Sequence, residues 1–73
     1  MRLSELNKGE EATILALNCD SSLKNRFYSF GLTKNTKVII EEVTLAKNTI
    51  EVRINTTKIA IRLTEANKIE VTK

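Results

Sequence analysis

The 73-residue sequence carries 12 Lys and Arg against 9 Asp and Glu, has one cysteine and no histidine, and is 41% hydrophobic. A chain of this length buries only about 60% of the surface its unfolded form exposes, and with Cys19 alone it has neither an internal disulfide nor a histidine-bearing metal staple to help it. The composition excludes a disordered chain, and no apolar run approaches the roughly 20 residues that span a bilayer.

Met1 to Gly9 contains Arg2, Glu5 and Lys8 and no apolar stretch, which does not read as a secretory leader, so a single cytosolic domain over residues 1–73 is expected. The net charge of +3 is spread along the chain. Residues 1 to 36 hold five basic and four acidic side chains, and residues 37 to 73 hold seven and five. A surface that tracks phosphates concentrates its charge, so this pattern reads as an ordinary solvated surface.

In chain order, Leu3 and Leu6 anchor a lead-in that turns at Asn7-Lys8-Gly9. From Glu11 to Asn18 the residues Ala12, Ile14 and Ala16 alternate with Thr13, Leu15 and Leu17, which predicts a strand with apolar groups on both faces. Asn18 to Ser22 is a polar break in which Asp20 or Ser21 can cap a helix. The stretch Leu23 to Leu32 then reads as the one substantial helix. Leu23, Phe27 and Phe30 form its apolar stripe, Gly31 its left-handed stop, and Leu32 a return contact of the Schellman type.

The second half changes period. Thr36 to Leu45 predicts a β-branched strand that bends near Glu41-Glu42, and Thr44 to Asn48 a loop. Thr49 to Ile54 and Lys58 to Leu63 alternate as a hairpin with Ile50, Val52, Ile54, Ile59, Ile61 and Leu63 inward. Two registers keep those faces together. A two-residue loop sets Arg53 opposite Lys58, whereas a four-residue loop sets Glu51 opposite Arg62, and the opposite-charge pair favours the longer loop. Thr64 to Lys68 reads as a helical turn carrying Ala66, and Ile69 and Val71 as a last strand. The expected fold is mainly β: a small, partly open antiparallel barrel of about five strands with one short α-helix after the first strand.

No catalytic constellation is present. General base work without histidine would fall to carboxylates or lysines, and the neighbours Glu10-Glu11 and Glu41-Glu42 point to opposite faces of extended chain. Cys19 lies near a helix start, where a thiolate is favoured, but a small buried hydrophobe is the better reading. Two glycines cannot build a phosphate-cradling loop. The chain therefore reads as a binding protein and not an enzyme, with no cofactor.

The helix offers the one candidate contact surface. Tyr28 falls about 100° from Phe27 on the wheel, and with Lys24, Asn25, Arg26 and Ser29 it makes an outward patch of the composition found at interfaces. Packing of Tyr28 along the barrel rim is the alternative reading.

The ordered set Leu3-x-x-Leu6-x-x-Gly9, Ala12-x-Ile14, Leu23-x-x-Arg26-Phe27-x-x-Phe30-Gly31-Leu32, Lys34-x-Thr36-x-Val38 and Ile59-Ala60-Ile61-Arg62-x-x-Glu65-Ala66-x-x-Ile69-x-Val71 resembles the FeoA family over nearly the whole chain. These are small cytosolic proteins of bacterial ferrous iron transport. The resemblance implies an SH3-like β-barrel and a non-catalytic accessory role, exerted by binding the cytoplasmic GTP-binding region of the membrane transporter FeoB. The family pattern commonly has glycine where Asn35 stands, a Pro-, Gly- and Asp-rich loop near Thr44 to Asn48, and glycine near Asn55 or Thr56; this chain has none of them there. Transition-metal binding goes with the family, but one cysteine and no histidine supply no evident Fe²⁺ site here. Within the same fold the SH3-like domain of a DtxR-type metal-dependent regulator is a second reading, and a small nucleic-acid-binding barrel a third.

Overall fold

Five of the turns in this chain depend on a residue with left-handed backbone. In the computed structural model, which describes residues 1–73, Gly9 and Gly31 both have φ 89°, and Asn35, Asn48 and Asn55 have φ 72°, 55° and 56°. Asparagine is the residue other than glycine that adopts this conformation at least cost, because its short amide can bond locally. The turns at 35 and 55 thus form without glycine. Asn48 performs the same function in the middle loop, which folds as a 3₁₀ turn over Leu45–Lys47.

Between these turns lie β1 (Glu11–Leu17), α1 (Ser21–Ser29), β2 (Lys37–Thr44), β3 (Thr49–Ile54), β4 (Thr57–Arg62), α2 (Leu63–Ala66) and β5 (Ile69–Thr72). The strands form one antiparallel sheet in the order β4-β3-β2-β1-β5. The sheet is not closed, yet its curl wraps a single core. Ile14, Val38, Ile50, Val52 and Ile69 within it are completely buried, joined by Leu3 and Leu6 of the lead-in, Phe27 and Leu32 of the helical segment, and Ala66 of α2.

Two bulges provide the curvature, and each alters a sequence expectation. In β1 the register passes from Ile14↔Val71 to Ala16↔Glu70, so Leu15 is the extra residue. The inward phase shifts by one, Leu17 enters the core, and Leu15 is left 42% exposed. The strand is therefore one-sided, and its mixed pattern reflects the bulge and not cover on both faces. In β2 the register passes from Ile40↔Val52 to Glu42↔Glu51, which makes Glu41 the extra residue at the expected bend.

Glu41 also explains why the hairpin takes the shorter loop. Ile54 pairs with Thr57 around Asn55-Thr56, and Arg53 lies opposite Lys58. The bulge turns the Glu41 carboxylate between these two cations, 3.3 Å from Arg53 Nε and 3.6 Å from Lys58 Nζ. The like-charge pair is thus screened by a third strand, and the preference for the four-residue loop is overturned. Because Asn55 has left-handed backbone and an exposed side chain, Asn55→Gly should raise stability by a few tenths of a kcal/mol and Asn55→Ala lower it by about 1 kcal/mol, as read from chemical denaturation midpoints.

Candidate functional site: the outward face of the first helix

The α1 helix is built as its sequence suggests at both ends, but it is shorter at its C-terminus. Asp20 is the N-cap, its carboxylate accepting from Leu23 N–H at 2.9 Å. The last helical residue is Ser29, and Phe30 is the C-cap. Gly31 N–H donates to Tyr28 C=O at 3.0 Å and Leu32 N–H to Phe27 C=O at 2.9 Å, the paired bonds of a Schellman motif. This reversal corrects the apolar stripe. Phe27 and Leu32 are completely buried and Leu23 packs half-buried against the core, whereas Phe30 is 38% exposed. Phe30 falls in the stripe only if the helix continues through it; once the chain turns at Gly31, Leu32 takes the core position.

Among the residues picked out for partner contact, Asn25, Arg26, Tyr28 and Ser29 are exposed, Tyr28 at 48%, and Lys24 is half-buried. Two of them have intramolecular bonds. Ser29 Oγ donates to Arg26 C=O at 2.6 Å. Arg26 Nη2 donates to Glu65 Oε2 at 2.7 Å, which ties α1 to α2. Glu65 is well covered, and its other oxygen accepts from Arg62 N–H at 3.2 Å, capping the first turn of α2. Arg26 is thus a strut between helices, and the side chains free to meet another molecule are Asn25, Tyr28 and, missed by the sequence reading, Phe30. Phe30 lies about 160° round the helix from Tyr28, so the two rings belong to different sides, and the contact patch is Tyr28 with Lys24 and Asn25, the ring giving bulk for burial and its hydroxyl a directed bond.

Elsewhere the surface is occupied by ion pairs, including Lys8 with Glu42, Lys37 with Glu11 and Lys73 with Glu10. No three His, Cys, Asp or Glu side chains are grouped so as to hold a metal ion. Cys19 is half-buried against the core, in keeping with its reading as a small hydrophobe. No helix is long and apolar enough to cross a membrane.

Comparison with known proteins agrees with this architecture. Residues 1–73 match the FeoA domain. A candidate Fe(2+) transport protein A of Campylobacter jejuni is 41% identical over 71 residues, covering 97% of this chain and 96% of that protein. The solution structure of the FeoA protein of Chlorobium tepidum superposes with a TM-score of 0.89 at 28% identity, over 97% of this chain and 68% of the other. A manganese-dependent transcriptional repressor superposes as well, TM-score 0.89 at 17% identity, over 99% of this chain and 35% of the repressor, and so shares the fold. The match over the full length and the identity to the Campylobacter protein lead to one conclusion: this chain is a member of the FeoA family, the ferrous iron transport accessory proteins with a small SH3-like β fold.

Proposed function

We propose that this chain is a non-catalytic, cytoplasmic accessory protein of ferrous iron uptake, and that it docks on the cytoplasmic GTP-binding region of a FeoB-type membrane transporter through the outward face of α1. Membership of the family supports the iron-transport role. The docking surface rests on the 48% exposure of Tyr28, on a helix whose inner side is sealed into the core by Phe27. Lys24, Asn25 and Ser29 border that contact, and Arg26 supports it by holding α1 to Glu65.

Iron itself is the cargo of the transporter in this reading. With no histidine and one half-buried cysteine, the chain offers Fe²⁺ no soft or imidazole ligand set. Calorimetric titration of the isolated chain with Fe²⁺ under anaerobic conditions should show no stoichiometric binding at micromolar metal.

The docking surface is tested by binding the purified chain to the isolated GTP-binding region of the transporter. Tyr28→Ala should weaken binding about tenfold or more, the loss of a central aromatic anchor being worth about 2 kcal/mol, with unchanged circular dichroism. An Asn25→Ala, Tyr28→Ala double variant that binds as well as the parent would reject this face.

A further inference from the structure

The two edges of the sheet are finished differently. At β5 the lead-in backbone continues the ladder: Val71 N–H donates to Met1 C=O at 2.7 Å, and Arg2 bridges to Glu70. At β4 no segment does so. The two-residue hairpin makes Ile54 and Thr57 a hydrogen-bonded pair, and bonded pairs then alternate along the strands. The bond from Leu63 N–H to Asn48 C=O at 2.9 Å keeps the same phase at the far end. Lys58, Ala60 and Arg62 therefore aim their backbone groups away from β3. Arg62 N–H is capped by Glu65 at 3.2 Å, but the N–H and C=O groups of Lys58 and Ala60 are met by no loop or neighbouring strand.

Such an edge is a template for another strand, and side-chain charge decides which one. Lys58, Ala60 and Arg62 are exposed beside it. A second copy pairing antiparallel about Ala60 would set Lys58 of each chain opposite Arg62 of the other, giving two like-charge contacts. Arg62 takes part in none of the ion pairs of this chain, and Lys58 reaches only Glu41, at 3.6 Å and shared with Arg53. An extended segment with carboxylates four residues apart would place one opposite each cation, with a small residue over Ala60.

We propose that the β4 edge is a docking site for an extended acidic segment of a partner protein, which adds to the sheet as a further strand along Lys58 to Arg62. Its Arg62 end adjoins α1 through Glu65, which bonds both Arg62 N–H and Arg26, but the proposal does not depend on the docking role of the α1 face.

The probe is the capped peptide Thr-Glu-Val-Thr-Val-Glu-Thr, titrated into the ¹⁵N-labelled full chain. Saturation should slow hydrogen exchange at Lys58 and Ala60 at least about fivefold, as new backbone bonds protect them, with the largest shifts on β4. The same peptide with Lys for both Glu should leave the spectrum unchanged, and Lys58→Glu with Arg62→Glu should abolish the response to the acidic form. Absence of protection at millimolar acidic peptide, equal response to the basic peptide, or sedimentation showing that the chain itself dimerises through this edge would each overturn the proposal. The comparison of the two peptides uses the unaltered chain, so it stands even if the double variant fails to fold.

Discussion

Replacing Phe27 by alanine should remove most of the stability of this protein. Phe27 is completely buried and is the largest side chain in the core. Deleting a buried phenylalanine ring costs about 3–5 kcal/mol, part lost transfer energy and part residual cavity, while a domain has only about 5–15 kcal/mol in all and a small one lies near the lower end. The fold offers little to fill the space. The backbone around Phe27 is fixed by the Asp20 cap at one end of α1 and the Schellman bonds at the other. Thermal melts followed by circular dichroism should place the midpoint of Phe27→Ala at least about 12 °C below the parent, on the basis of roughly 4–8 °C per kcal/mol in a chain of this size.

The second large effect separates two residues that the sequence pattern confuses. Leu32→Ala should cost about 2–5 kcal/mol and Phe30→Ala less than about 0.5 kcal/mol, because Leu32 is completely buried beyond the Gly31 reversal while Phe30 is 38% exposed at the helix C-cap. A helix continuing through Phe30 would give the opposite order. Urea unfolding of the two variants decides between them, and equal slopes for parent and variants are needed for the comparison to hold.

These two residues show what the sequence makes legible. The ends of α1 are readable because their chemistry is local: Asp20 needs only the N–H of Leu23, and Gly31 needs only its own positive φ. The fate of Phe30 depends on whether the last turn is counted as helix, and a wheel drawn through Gly31 assigns it to the wrong side. The hairpin register fails for a different reason. Cross-strand charges within β3 and β4 favour the longer loop, but the carboxylate that settles the matter, Glu41, arrives from a bulge in β2. Bulges leave no clear trace in an alternating pattern until the partner strand is known, and for that reason Leu15 and Leu17, expected together on one face of β1, separate into an exposed and a buried position.

The candidate site divides in the same way. Exposure of Tyr28 follows from helical periodicity and is legible. The bond of Arg26 to Glu65 crosses 39 residues of sequence and is not. It transfers Arg26 from the contact patch to the scaffold. An ion pair with one exposed partner contributes at most about 1 kcal/mol, so the main effect of Arg26→Ala should be a looser α1 and a smaller loss of partner binding than that of Tyr28→Ala.

One helical segment serves two roles in this protein: Phe27 and Leu32 hold the sheet, and Tyr28, with Lys24, Asn25 and Ser29 around it, is proposed to meet the transporter. The most direct measurement is amide chemical-shift mapping of the ¹⁵N-labelled chain as the cytoplasmic GTP-binding region of the transporter is added. Shifts or broadening are expected at Lys24, Asn25, Tyr28 and Ser29, with the outward residues of β3 unmoved. Saturable binding that leaves those four amides unchanged, or no binding at all, would rule out α1 as the docking face.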